Sequence, residues 1–187
     1  MSDDPDADIL LLVAEHDLDR ALRLLMERHG VAVYRYIHKT LHDEARANDV
    51  QQRVFIEAYR DLPRFGGRST LRTWVFAIAR NRVLDAIKQD KRAASHLGES
   101  DGADAPDPGP APDEQLDDAR LRDALARCLE KLNEPSRMAV LLRYQQGFSF
   151  DEMAEVCREK PGTLQARVMR ALPVLRKCIE TTTGGAV

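Results

Sequence analysis

The sequence predicts an all-α protein with two small helical domains, joined by a flexible, acidic and proline-rich linker. Apolar residues recur at helical spacing along most of the 187 residues, and no convincing alternation of period two is present. Hydrophobic residues make up 43% of the chain and charged residues 32%, which supports packed cores and argues against wholesale disorder. Between about 93 and 114, prolines alternate with acidic and small residues, which cannot hold a helix or bury a core.

Amphipathic helices are predicted throughout the part of the chain before the linker. Pro63 ends one of them, and Phe65-Gly66-Gly67 forms a loop after it. Either Ser69 or Thr70 is expected to cap the next helix. The predicted helices cover 7–14, 18–29, 31–42, 44–62 and the stretch from this cap to about Lys91.

The second half begins with two predicted helices at 115–132 and 135–146. Pro135 suits the first turn of a helix, and Gly147 is expected to end it. The three cysteines are odd in number, widely spaced and set among apolar neighbours, so we predict reduced core thiols and no disulfide framework: Cys128, Cys157 and Cys178.

Ser149 to Ala171 is predicted to form a helix-turn-helix motif. A Ser-x-x-Glu capping box opens a helix from 150 to about 159, Pro161-Gly162 makes the turn, and Thr163 caps the second helix. A plain helical hairpin is the alternative, but the tight turn and the acid-free second helix favour DNA. Pro173 should kink the second helix or end its regular part, so that recognition is confined to 163–171.

The second helix of such a motif enters the major groove, and its first turns face the base edges. A glutamine can bond an adenine edge through two hydrogen bonds, and an arginine can do the same for guanine. Lys160 and the helix N-terminus suit phosphate contacts. The first turns of this helix offer Thr163, Gln165, Arg167 and Arg170.

Charge is segregated along the chain, although the net charge is only −3. Residues 1–19 hold seven acids and no Lys or Arg, and residues 93–120 hold eight acids and one Arg. Residues 64–92 carry eight basic residues against two acids, and residues 160–177 carry five basic residues and no acid. One basic run alone is typical of a solvated helix face, whereas two, each ending a helical module, favour a polyanionic partner.

The stretch from Asp49 to Asp85 combines a polar-fronted helix, a Phe-Gly-Gly loop and a basic helix with an aromatic edge. Cations beside aromatic rings suit single-stranded nucleic acid, because bases stack on the rings for about 1–3 kcal/mol each. Trp74 is expected to pack on the domain core along one edge, and its direct contact with DNA stays open.

At these residues the chain closely resembles bacterial RNA polymerase sigma factors of the extracytoplasmic-function (ECF) class. The family pattern D-x-x-Q-x-x-F stands at 49–55, F-x-G at 65–67 and T-W-x-x-x-I-A-x-N at 73–81. In the second half, L-R-Y…G-F-S-F-D-E-M-A stands at 142–154 and P-G-T-L-x-x-R at 161–167. Arg53 departs from the family's usual acid after the glutamine, and Pro173 departs from its Arg-rich last helix.

The resemblance implies five parts of the chain. They are an acidic N-terminal segment (1–19), a sigma-2-like domain (20–92), a linker (93–117), a sigma-4-like helix-turn-helix domain (118–180) and a tail (181–187).

The resemblance also implies what each domain does. The sigma-2-like domain would dock on the coiled coil of the largest polymerase subunit and would recognise and open the −10 element. The implied polymerase contacts are Asp49, Gln52, Arg53, Phe55 and Ile56. The implied −10 residues are Arg64, Phe65, Gly66, Gly67, Arg68, Ser69, Arg72, Trp74, Arg80 and Asn81, of which Asn81 and the loop 64–69 would hold a flipped base.

The sigma-4-like domain would read the −35 element. Its implied contacts are Lys160, Pro161, Gly162, Thr163, Gln165, Arg167 and Arg170. The partners implied are core RNA polymerase, promoter DNA and an anti-sigma factor, with no cofactor and no small-molecule substrate. No apolar run reaches the length that a membrane span needs, and the N-terminus is acidic where a signal peptide is basic. The sequence therefore predicts a cytoplasmic protein, which an anti-sigma factor could hold at the inner membrane.

Other functions are less well supported by the residues. A stand-alone helix-turn-helix regulator is the main alternative, but its first domain should offer a ligand pocket or a dimer face. The third interpretation is a protein that serves only as a binding module, is held by a regulator and acts by titration. His38 and His42 lie at i, i+4 without a third ligand at a suitable spacing, and no nucleophile triad or Walker loop is present, so we predict no metal and no enzyme. Cys157 is predicted to be a core residue and not a redox sensor.

Overall fold

The computed structural model describes the backbone of residues 5–97 and 113–183 and the side chains of 5–93 and 120–183. Within these ranges the regular structure is helical and no strand is present, so the all-α prediction is confirmed. The helices are α1 (Ala7–Ala14), α2 (Leu18–Leu41), α3 (Glu44–Asp61), α4 (Leu71–Leu97), α5 (Asp113–Glu130), α6 (Glu134–Val140), α7 (Phe150–Cys157) and α8 (Pro161–Thr182). A 3-10 turn (Leu62–Arg64) follows α3, and a π-helical segment (Leu141–Gln145) extends α6.

Helices α1 to α4 form the first bundle around fully buried apolar side chains that include Leu25, Tyr36 and Leu71. The short helix α1 lies on α2 through Ile9, which is also fully buried. The adjoining Asp6 carboxylate accepts a hydrogen bond from Arg28 at 2.8 Å and lies 3.0 Å from Nε2 of His29. Burying a carboxylate is costly unless it is paired, so these two partners permit α1 to dock.

Helix α2 is continuous, and the predicted break at Gly30 is wrong. Gly30 lies in α2 on the side that is buried against α3, where its carbonyl oxygen accepts a hydrogen bond of 2.8 Å from Nε2 of Gln51. The helix is held by its packing on a neighbouring helix, and this outweighs the cost of about 1 kcal/mol that a mid-helix glycine imposes.

The structure shows which residue caps α4 and where this helix ends. Thr70 caps the helix, because its Oγ1 accepts a hydrogen bond of 3.1 Å from the backbone N–H of Thr73. The helix continues to Leu97 instead of ending near Lys91, and α5 already begins at Asp113. Residues 98–112 of the predicted linker lie outside the described residues.

The helix-turn-helix of the second domain forms as predicted at its first helix. The Ser149 hydroxyl accepts from the backbone N–H of Glu152 at 3.2 Å, and the Glu152 carboxylate accepts from the backbone N–H of Ser149 at 2.7 Å. Gly147, at φ +72°, ends the preceding segment in a conformation that glycine adopts without steric cost.

The predicted start of α8 is wrong, and of the two effects predicted for Pro173 the structure excludes the end of the helix. The helix begins at Pro161, which occupies its first turn, so that Lys160 and not Thr163 stands at the cap position. The turn is made by the residues just before it, where Arg158 takes the left-handed conformation. Pro173 does not end the helix, which runs on to Thr182. Pro173 is exposed, so its ring does not have to fit into the packed core of the second domain.

A disulfide joins Cys128 of α5 to Cys178 of α8, which overturns the prediction of three reduced thiols. The two cysteines are 50 residues apart, and their Cα atoms lie 5.7 Å from each other where α8 packs on α5. Cys157 is a free, buried thiol within α7, as predicted. Spacing along the chain carries no information about this pairing, because only the packing of α8 on α5 brings the two sulfurs together.

We expect alkylation by iodoacetamide, followed by intact-mass measurement, to separate the three cysteines. The native protein should take up no label, because two thiols are bonded and burial raises the pKa of the Cys157 thiol. In denaturant without reductant it should take up one label, and with reductant three. Three labels in denaturant without reductant would show that no disulfide forms.

Candidate nucleic-acid and polymerase interfaces

The first turns of α8 present a polar face to solvent. The opposite face is buried against the rest of the second domain through Leu164, Val168 and Ala171. This burial fixes the rotation of α8, so that its polar residues point outward. Exposed on the outer face are the predicted contacts Lys160, Pro161, Gly162, Thr163, Gln165 and Arg170.

Arg167 differs from its neighbours because it is half-buried and already paired. Its two guanidinium nitrogens donate to the two carboxylate oxygens of Glu159 at 3.0 Å and 2.6 Å. This bidentate ion pair lowers the pKa of Glu159 below its usual value, and the carboxylate is charged at neutral pH. One predicted −35 contact is therefore neutralised within the motif itself.

The predicted −10 residues on α4 divide between opposite sides of the helix. Trp74 and Asn81 are seven residues apart, about two helical turns, and share one side. The ring of Phe65 lies 5.4 Å from that of Trp74, which joins the Phe-Gly-Gly loop to this side. Both rings are half-buried, so Trp74 packs along one edge as predicted and leaves part of its surface accessible.

The loop before α4 is open and basic. Gly67, at φ +64°, takes a left-handed conformation that most side chains disfavour. Ser69 is half-buried at the end of the loop. Exposed along it are Arg64, Gly66, Gly67 and Arg68. The loop can therefore bring two cations next to the Phe65–Trp74 pair.

Arg72 and Arg80 lie on the other side of α4, against the second domain. The Arg72 guanidinium lies 4.2 Å from the ring centroid of Phe148 and donates to the backbone oxygen of Gln146. Arg80 lies 3.5 Å from a carboxylate oxygen of Glu159. The sequence prediction grouped these two arginines with Trp74 and Asn81, but the fold separates them.

The predicted polymerase face on α3 is exposed except at one position. Asp49, Gln52 and Arg53 are exposed, and Ile56 is 69% exposed. Phe55 is only 4% exposed. It lines a groove of about 550 Å³ between α2 and α3.

Two apolar residues of α2 lie beside this face and were missed by the sequence analysis. Met26 is 45% exposed and Val31 is 63% exposed, and both line the groove. The predicted break at Gly30 made Val31 the first residue of a separate helix, 31–42. Helix α2 is continuous, and Val31 points outward.

The residues considered for a metal site have other contacts. His38 stacks on Tyr34, and His42 lies 3.2 Å from the carboxylate of Glu130 and 3.1 Å from Arg137. Burial lowers the pKa of His42. Within the described residues, no group of three or more His, Cys, Asp or Glu is placed to hold a metal.

Comparison with known families defines the class of this protein. The Sigma-70 region 2 family matches residues 25–93, and the Sigma-70, region 4 family matches residues 122–172. The chain therefore has the two domains of a transcription initiation factor. The first is a helical bundle with an aromatic face beside a loop, and the second is a helix-turn-helix.

Whole-chain relatives identify the family. The ECF RNA polymerase sigma factor SigC of Mycobacterium tuberculosis is 31% identical over 180 residues, covering 93% of this chain and 91% of the relative. The ECF RNA polymerase sigma-E factor of Escherichia coli is 32% identical over 155 residues, covering 76% and 81%. The chain belongs to the ECF family of RNA polymerase sigma factors. The predicted function is confirmed, and a stand-alone regulator is not favoured.

Solved structures share the fold. CnrH, in complex with the cytosolic domain of CnrY, has a TM-score of 0.66 at 26% identity and covers 91% of this chain and 96% of its own. The sigma factor RpoE, in complex with the anti-sigma factor NepR from Bartonella quintana, has a TM-score of 0.71 at 23% identity and covers 88% and 97%. Among the helices that the structure describes, none is both long and apolar enough to cross a membrane.

Proposed function

We propose that the three exposed faces divide the work of promoter-specific initiation. The α3 face around Asp49 and Gln52 docks on core RNA polymerase, the Phe65–Trp74–Asn81 side of α4 binds the opened −10 strand, and α8 reads the −35 element. The observation that carries this proposal is the shared side of α4, where an aromatic pair and an amide adjoin a basic loop.

Promoter opening needs a protein surface that prefers separated strands. Separating DNA loses about 1.4 kcal/mol of stacking per base-pair step. Phe65 and Trp74 offer ring faces to an unstacked base, Asn81 offers an amide that can bond its edge, and Arg64 and Arg68 offer charge to the phosphates. Because these groups recognise an exposed base, they favour the open form by their differential affinity.

Reading of the −35 element falls to the exposed face of α8. Gln165 and Arg170 can bond base edges in the major groove, while Lys160 and the first turn of α8 suit phosphates. Phosphate contacts release counterions, so promoter affinity should fall with rising salt.

Polymerase docking combines polar and apolar groups on one surface. Asp49 and Gln52 supply hydrogen-bonding groups, and Ile56, Val31 and Met26 supply apolar area that solvent now covers. An interface with an apolar centre and a polar rim is the usual arrangement for specific association.

The test is gel-filtration co-elution with bacterial core RNA polymerase. We expect wild type to co-elute and the double variant Asp49→Ala, Gln52→Ala to lose affinity. Interface residues that matter cost more than about 1 kcal/mol each when truncated, so two of them should weaken binding roughly 30-fold.

The control for this experiment is Glu44→Ala, Gln89→Ala, which removes one acid and one amide from exposed positions outside this face. It should bind as wild type does. Equal binding by the docking variant and the control would move the polymerase contact to another surface.

We propose further that the chain acts in the cytoplasm, that it is not an enzyme, and that an anti-sigma factor is among its partners. The last point follows from CnrH and RpoE, which were solved with CnrY and NepR. A small protein that binds this chain and competes with core polymerase in the same co-elution assay would support it. Simultaneous binding of both would contradict it.

A further inference from the structure

The 3-10 turn Leu62–Arg64 forms the base of the loop 64–69. Leu62 is fully buried, and its carbonyl oxygen accepts a hydrogen bond of 3.0 Å from the backbone N–H of Phe65. The ring of Phe65 then packs against that of Trp74. The position of the turn therefore affects how Phe65 lies relative to Trp74.

Helix α1 lies against both this turn and α2. The chain reverses tightly between α1 and α2, because the backbone N–H of Asp17 donates to the carbonyl oxygen of Leu12 at 2.9 Å. Ile9 of α1 is fully buried in the resulting contact. The docking of α1 therefore contributes to holding the base of the loop in place.

The start of α1 is fixed by a buried clasp, which consists of Asp6, Arg28 and His29. Both carboxylate oxygens of Asp6 lie 3.0 Å from Nε2 of His29, and Arg28 donates to one of them at 2.8 Å. Arg28 also donates to the two carboxylate oxygens of Asp8 at 2.9 Å and 2.8 Å. Asp6 has no exposed surface, and a buried carboxylate is costly unless it is paired. The clasp therefore selects the place on α2 at which α1 docks.

We propose that Asp6 is a positioning residue for promoter opening, which docks α1 so that the turn Leu62–Arg64 holds Phe65 beside Trp74. This inference rests on the proposed function, because it takes the Phe65–Trp74 pair as the surface that binds the opened strand. Asp6 contacts neither DNA nor polymerase in this role and acts through packing. Without the clasp, the opened strand binds with an affinity reduced by the fraction of molecules whose loop is in place.

Trp74 reports the state of the loop in the free protein, because it is the only tryptophan of the chain. Acrylamide quenches the fluorescence of an indole more strongly when the indole is less covered. We expect Asp6→Ala to raise the quenching constant toward that of Phe65→Ala, which removes the ring beside Trp74. Glu15→Ala is the control, since it removes a carboxylate from an exposed position just after α1, and it should leave quenching unchanged.

Promoter opening by the complex with core polymerase gives the second readout. Asp6→Ala should lower the permanganate reactivity of the −10 thymines about tenfold, if only a tenth of the molecules keep the loop in place. Co-elution with polymerase and the −35 preference should stay as in wild type. In a Phe65→Ala background the same substitution should have little further effect, because residues that act through one contact are not additive. A residue that only stabilises the fold would lower opening by the same factor in both backgrounds.

Circular dichroism verifies that Asp6→Ala is folded, and Asp6→Asn, which keeps the shape but removes the charge, replaces it if it is not. Unchanged quenching in the folded variant would overturn the proposal, and so would equal losses of opening in the two backgrounds. If the wild-type complex fails to open promoters, the proposed function fails, whereas the quenching experiment still decides whether Asp6 holds the loop.

Discussion

Phe148→Ala should destabilise the protein by about 3–5 kcal/mol, the range for truncating a fully buried phenylalanine. Phe148 lies just before α7, has no exposed surface, and contacts both Phe76 and the Arg72 guanidinium. Its loss leaves a cavity where the two domains meet. Since folded proteins are stable by only about 5–15 kcal/mol, this is a large share of the total. Urea unfolding followed by circular dichroism measures the change.

Phe150→Ala is the matched control for this experiment. Phe150 is two residues further along, is half-buried, and lies 4.9 Å from the Arg143 guanidinium within the second domain. We expect a loss of about 1 kcal/mol, because less apolar surface returns to water. If the two substitutions cost the same, or if Phe148→Ala costs less than the control, the packing of Phe148 between the domains does not contribute as described.

Asn81→Ala should reduce promoter opening roughly ten- to a hundredfold. An amide that bonds a base edge through two hydrogen bonds contributes about 1–3 kcal/mol. The change leaves α4 intact, since alanine is a good helix former and Asn81 is only half-buried. Permanganate reactivity of unpaired thymines at the −10 element measures opening, and co-elution measures polymerase binding, which should stay as in wild type.

Gln165→Ala provides the comparison, because it removes another amide from the other DNA-facing helix. It should relax the preference for the −35 sequence while leaving opening, once the complex has formed, near the wild-type level. Equal loss of polymerase binding and opening in Asn81→Ala would contradict a role for Asn81 in holding the opened strand. A change of −35 preference in Asn81→Ala would contradict the division of work between the domains.

Much of the local structure follows from residues that act within a few positions of one another. The capping box at Ser149 and Glu152 and the stop at Pro63 set their helix ends as predicted, because each depends on nearby backbone groups. The motifs at 49–55, 65–67 and 73–81 were sufficient to suggest the family that the comparisons confirm. The exposed face of α8 was likewise predicted, since the 3.6-residue period alone orients it.

Helix continuity was harder to predict. Gly30 and Pro173 are ordinarily helix-breaking residues, yet α2 and α8 run through them. Gly30 is held by Gln51 of a neighbouring helix, and Pro173 lies on a side of α8 that faces solvent. Both outcomes depend on what surrounds the helix, which propensity does not describe.

The sequence by itself determined the helical class, the two-domain order, the family and the polar face of α8, because these follow from periodicity and from motifs read locally. Only the tertiary structure decided which charges are available. It joined Cys128 to Cys178, buried Phe55, placed Arg72 and Arg80 against the second domain, and gave Glu159 two arginine partners. The Cys128–Cys178 disulfide and the Arg80–Glu159 pair link residues that lie far apart along the chain, and only the packing of helices on one another brings such residues together.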